Sequence, residues 1–84
     1  MQIRYSSTFD KAYNERIKKN PALRHLFWEA LEIFETDPFH PSLRTHPLTG
    51  PLEGQYAFSV DYDCRVVFSL THENLAPLRD IGSH

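Results

Sequence analysis

Hydrophobic and polar residues alternate along the chain with two different periods, and the change of period predicts both helices and strands. At the start, Ile3 and Tyr5 alternate with polar residues, which is typical of a short strand over residues 1–6. Apolar residues then recur at helical spacing, and a first helix is predicted, capped by Ser7 or Thr8 and carrying Lys18 and Lys19 in its last turn. Its apolar stripe consists of Phe9, Ala12, Tyr13 and Ile17.

The second helical segment has the clearest pattern in the chain. Asn20 is placed to cap it, Pro21 suits its first position, and Asp37-Pro38 ends it, because a residue before proline avoids the helical region. One face of this helix is apolar, through Leu23, Leu26, Phe27, Ala30, Leu31 and Phe34. Two amphipathic helices with a short connection need another apolar surface to cover.

The C-terminal half supplies that surface as a predicted sheet. Residues 38–54 are rich in proline and glycine and form a loop, after which the period changes to two. Strands are predicted over 56–61, 64–70 and 75–81, with outward positions at Ala57, Ser59, Asp61 and Arg65. The predicted fold is α+β with two layers: a single domain over 1–84 of order β-α-α-β-β-β, its two helices packed on one face of an antiparallel meander sheet.

Composition and charge narrow the class of protein. The chain has 84 residues, 40% of them hydrophobic, and a net charge of −2, which is unlike a strong nonspecific nucleic-acid binder. The charge is uneven, because residues 1–25 carry six cations and two acids, whereas residues 26–84 carry three cations and nine acids. This basic segment is either a solvated helix face or a surface for phosphate or a partner.

Chemical groups for a metal or a disulfide are sparse. Cys64 is the one cysteine, and the five histidines show no ligand spacing, so neither a metal nor a cofactor is predicted. No apolar run is long enough for a membrane span, and the first residues lack the apolar core of a signal peptide. These features predict a cytoplasmic protein without a membrane partner.

The segment HPLTGPLEGQYAFSVDYDCRVVFSL, followed by LRDIGSH, resembles the RelE/ParE superfamily of bacterial toxins, and most nearly the YafQ-like RelE toxins. The likeness covers nearly the whole chain and implies a toxin of a type II toxin–antitoxin system that binds an antitoxin protein. RelE-type members cleave messenger RNA on the ribosome and so inhibit translation. The expected partners are therefore an antitoxin, the ribosome and mRNA, with a dimer or a hetero-oligomer with the antitoxin as the expected assembly.

The resemblance also implies a set of catalytic residues for metal-free cleavage, in which the ribose 2′-OH attacks the adjacent phosphate. His46 and His84 match histidines that would share acid–base catalysis, Arg65 matches an arginine that stabilises the charged phosphate, and Asp63 matches an aspartate. Asp61 is expected near them from its position on the strand alone.

Two alternatives remain open from the sequence. Ser59 and Ala57 stand where relatives carry histidine, lysine or an acid, and the chain is acidic where RelE toxins are basic. These departures favour a catalytically weak protein that binds an antitoxin and helps to repress transcription. The other alternative is a ParE-like inhibitor of DNA gyrase.

Overall fold

The computed structural model describes residues 1–83, and its helices and strands follow the predicted order with one added strand and two short 3-10 helices, Pro41–Leu43 and Gly50–Leu52. Helix α1 spans Ser7–Arg16 and helix α2 spans Pro21–Thr36. The strands are β1 (Gln2–Tyr5), β2 (His46–Pro47), β3 (Tyr56–Asp61), β4 (Cys64–Phe68) and β5 (Leu75–Gly82). The added strand is β2, which forms inside the segment predicted as a loop.

The strands form one mixed sheet in the order β1-β5-β4-β3-β2. Strands β3, β4 and β5 are the predicted antiparallel meander, and β1 lies parallel to β5 at one edge. At the other edge β2 pairs antiparallel with β3, His46 opposite Ala57. Helix α1 packs against β5 and α2 against β3, so the α+β architecture is confirmed.

The helix ends show which local signals were interpreted correctly. Asn20 caps α2 by accepting the Leu23 N–H at 3.1 Å, with Pro21 in the first turn as predicted. The cap of α1 is Ser6, which accepts the Phe9 N–H at 3.0 Å, so the assignment to Ser7 or Thr8 was wrong by one or two residues. Helix α1 also ends before the two lysines: both Ile17 and Lys18 donate to the Tyr13 carbonyl, and Ile17 is fully buried.

Aromatic residues fill the space between the helices and the sheet. The rings of Phe34 on α2, Phe58 on β3 and Phe68 on β4 are all fully buried, with the Phe34 centroid 4.7 Å from each of the other two. Burying a side chain of this size stabilises a fold by about 1.5–3 kcal/mol. Since Phe58 and Phe68 point to the helices, the alternate residues of β3 and β4 point to the opposite face of the sheet.

In the described part of the chain, neither helix is long and apolar enough to cross a lipid bilayer.

Candidate functional site

The face of the sheet opposite the helices brings together residues that are distant in sequence. Pairing places His46 opposite Ala57 and Arg65 opposite Ser59, while Ala57 and Ser59 are two residues apart on β3. All four positions therefore share one face. From the spacing of about 4.8 Å between strands and 3.4 Å per residue, the Cα atoms of His46 and Arg65 are about 12 Å apart.

Ala57 is on the predicted face but not in the predicted environment. It was expected to point outward into solvent, yet it is fully buried. The reason is β2, which was not predicted: Ala57 has a strand on each side, with His46 paired to it on one and Val67 on the other. The small methyl group of Ala57 is thus covered on this face of the sheet by its neighbours on β2 and β4.

The imidazole of His46 is exposed but held in one orientation. Its Nδ1 lies 2.9 Å from the carbonyl oxygen of Arg44. A carbonyl can only accept, so Nδ1 carries a proton and donates it, and the neutral ring has its lone pair on Nε2. Arg44 adopts a left-handed backbone (φ 51°), which is uncommon for a residue with a side chain and is found at sites that the surrounding structure holds in place. His46 is therefore prepared to accept a proton at Nε2.

Arg65 is half-buried in the middle of the sheet and is incompletely paired. Its Nε atom is shielded from solvent and has no hydrogen-bond acceptor among the described residues. A buried donor without an acceptor costs about 1–3 kcal/mol, so this guanidinium can gain hydrogen bonds when an anion approaches.

An open groove of about 510 Å³ lies beside these residues. It is lined by Ser42, Arg44, His46, Ser59, Val60, Asp61 and Tyr62. The register of β3 and β4 shifts between Ser59 and Asp61, and such a bulge redirects side chains at the end of a strand. The groove combines a guanidinium, an imidazole, hydroxyl groups and the Asp61 carboxylate, so it is polar and suits a phosphate and a sugar more than an apolar ligand.

The turn between β3 and β4 holds both predicted aspartates, and only one of them lines the groove. Asp61 contributes to the lining, and its Oδ1 accepts the backbone N–H of Asp63 at 2.9 Å. Asp63 is exposed at the turn and is not part of the lining. His84, the remaining predicted catalytic residue, lies outside the described residues.

Sequence reasoning missed two groove residues, Arg44 and Tyr62. Arg44 precedes His46 by two positions and supplies both an exposed guanidinium and the carbonyl that holds the imidazole. Tyr62 stands between two aspartates, and its side chain is 94% exposed. The available signals were an arginine close to the His-Pro-Leu motif and an aromatic residue in a predicted turn.

The other reactive groups lie elsewhere. Cys64 is buried, and this burial, reinforced by the charge of Asp61, raises the pKa of its thiol to about 11, so that it stays protonated at neutral pH. Among residues 1–83, no three histidine, cysteine, aspartate or glutamate side chains are grouped so that they could hold a metal ion.

Comparison with known proteins gave matches among solved structures. No protein-family model and no curated protein sequence matches the chain. YafQ from E. coli superposes with a TM-score of 0.69 and 27% identity, covering 99% of this chain and 92% of YafQ. A metal-bound toxin from Helicobacter pylori superposes with a TM-score of 0.79 and 27% identity, covering 100% of this chain and 94% of that toxin.

A third structure shares the fold at lower identity. The YoeB-YefM complex from Staphylococcus aureus matches with a TM-score of 0.78 and 16% identity, covering 100% of this chain and 97% of the matched chain. The structural neighbours are thus toxins of toxin–antitoxin systems, and they cover the whole length of the two-layer fold. The chain therefore resembles the toxins of the RelE/ParE superfamily over its length, at 27% identity to two of them, with YafQ among its structural neighbours.

Proposed function

We propose that this protein is the toxin of a bacterial type II toxin–antitoxin system and cleaves messenger RNA on the ribosome. The observation that carries the proposal is the shared face of His46 and Arg65, beside a groove with room for a nucleotide. A base and a phosphate-binding cation on one surface are the minimum that cleavage by a ribose 2′-OH requires.

In this mechanism the Nε2 atom of His46 takes the proton of the 2′-OH, whose oxygen attacks the neighbouring phosphorus. The hydrogen bond from Nδ1 to the Arg44 carbonyl supports proton transfer to Nε2, because it keeps the lone pair of the neutral ring on that atom. The guanidinium of Arg65 stabilises the additional negative charge of the phosphorane, and that of Arg44, exposed at the groove, assists it.

Two predicted residues complete the proposed site. His84 protonates the leaving 5′-oxygen, as the family resemblance implies, and Asp63 orients one of the charged groups when RNA is bound. Asp63 is exposed in the β3–β4 turn, one residue before the strand that carries Arg65, and this position supports the assignment.

The proposed partners are an antitoxin, the ribosome and mRNA. The antitoxin is supported by the matched Staphylococcus aureus structure, which is a complex of YoeB with YefM. A hetero-oligomer with an antitoxin, in the cytoplasm, is therefore the proposed resting form.

The test is induced expression in a bacterial host without the antitoxin. Wild-type protein should arrest growth and produce cuts in ribosome-bound message, mapped by primer extension. His46→Ala should relieve the arrest, because it removes the one imidazole among the described residues that line the groove, and this group is proposed to take the proton of the 2′-OH. His72→Ala is the matched control, since His72 is an exposed turn residue outside the groove and its loss should change nothing. Normal growth and intact message with wild-type protein would contradict the proposal.

A second candidate is a catalytically weak protein that binds an antitoxin and represses transcription with it. Ser59 and Ala57 favour this function, because the groove face carries a hydroxyl and a methyl group where further ionisable side chains would assist cleavage. It predicts a stable complex with the product of a neighbouring antitoxin gene, but no growth arrest and no cuts.

A further inference from the structure

Tyr62 is the most exposed of the large hydrophobic residues among residues 1–83, and it lines the groove. Its ring is 94% exposed, whereas Phe39, the next among the exposed large side chains of residues 1–83, is 52% exposed. A single exposed aromatic residue needs no functional explanation by itself. The position of Tyr62 does call for an explanation, because this residue lines the same groove as His46 and Arg44.

The turn that carries Tyr62 is held firmly on both sides. Strands β3 and β4 are paired up to Asp61 and Cys64, and the Asp61 carboxylate accepts the N–H of Asp63 across the turn at 2.9 Å. Cys64, the first residue of β4, is buried in the core. The tyrosine is thus presented on a short, ordered turn, and a ligand that contacts it need not order the backbone first.

The charges around Tyr62 indicate which part of a nucleic acid could lie against it. Aspartates flank it on both sides, and a phosphate would be repelled there. The cations lie farther along the groove, at Arg44, and in the adjoining sheet, at Arg65. A phosphate between these cations would leave the neighbouring base over the turn, where the uncharged base can contact the uncharged ring of Tyr62.

We propose that Tyr62 is a stacking platform for the base of a nucleotide next to the phosphate that the groove holds. The proposal rests on the proposed function, because it takes RNA as the ligand, and it deepens that function by assigning a residue for base binding. Stacking on an aromatic side chain accepts any base, with some preference for larger ring systems, so purines should bind better than pyrimidines at this position.

The experiment measures binding to RNA that cannot be cleaved. A fluorescent, single-stranded adenine oligomer with 2′-fluorine in place of each 2′-OH is compared, by anisotropy, with an abasic oligomer of equal length and charge. The wild-type protein should bind the adenine oligomer roughly 5- to 150-fold more tightly, the range that one stacked base provides. Tyr62→Leu should remove this difference and Tyr62→Phe should keep it. Tyr5→Leu, which changes an exposed tyrosine on the edge strand β1 and outside the groove lining, is the control and should bind as wild type does.

The outcomes separate this proposal from the endonuclease activity. Equal binding of both oligomers by wild-type protein, binding of neither, or an unchanged difference in Tyr62→Leu would overturn the platform. Loss of the difference in Tyr62→Leu, with ribosome-bound message left intact by the wild-type protein, supports the platform and rejects cleavage. His46→Ala should keep the difference between the two oligomers while cleavage stops.

Discussion

Arg65 provides a prediction that separates stability from function. Replacing it with methionine keeps an unbranched side chain over the sheet but removes the guanidinium. The buried Nε of Arg65 has no acceptor among the described residues, and an unpaired buried donor costs about 1–3 kcal/mol. Arg65→Met should therefore stabilise the fold, although it removes a charge from the proposed site.

The expected magnitude follows from that cost. If methionine recovers half of the penalty, the free energy of unfolding rises by about 0.5–1.5 kcal/mol. In a domain of this size each kcal/mol moves the melting temperature by roughly 4–8 °C. Urea unfolding followed by circular dichroism should show the same gain as a higher midpoint with an unchanged slope.

Arg79 offers the matched control. It is exposed on β5, and its Nε already donates to the Ser69 hydroxyl at 3.3 Å. Arg79→Met should therefore not stabilise the protein, and surface changes of this kind stay within about 0.5 kcal/mol. If Arg65→Met is as stable as wild type or less stable, the unpaired donor is not a cost and the reasoning fails. In the growth assay Arg65→Met should also lose arrest, so that the more stable protein is the less active one.

Two further predictions concern the core. Phe34→Ala should lower the free energy of unfolding by about 3–5 kcal/mol in a urea titration, because it empties a fully buried site between Phe58 and Phe68. Phe39→Ala is the control and should lower it much less, because the ring of Phe39 is half-exposed. An equal loss in both variants would contradict the assignment of Phe34 to the core. Cys64 should react with iodoacetamide at pH 8 roughly 100-fold more slowly in the folded than in the unfolded protein, because its pKa is raised from 9.0 to about 11 and little thiolate forms. Since the fold favours the protonated thiol, the contribution of Cys64 to stability is complete below about pH 9 and is lost as the pH rises through about 11. Rapid alkylation of the native protein at pH 8 would refute the raised pKa.

Much of the fold was predictable because its signals are local. The apolar stripe of α2, the Asn20 cap with Pro21, and the change to a period of two after residue 55 depend on neighbouring residues, and all three appear in the structure. The position of α1 was also predictable, but not its ends. Ser6 and Ser7 are chemically alike, so the capping residue depended on where β1 ends.

The candidate site depended on contacts that local patterns do not record. His46 was expected in a loop, and only the pairing of β2 with β3 places it on the face that Arg65 shares. The missing acceptor of the Arg65 Nε, the held imidazole of His46 and the presentation of Tyr62 at the groove likewise require the tertiary structure. The sequence by itself determined the order and type of the elements, because hydrophobic periodicity and capping act over a few residues. The tertiary structure decided which side chains meet, because strand register joins residues far apart in the chain.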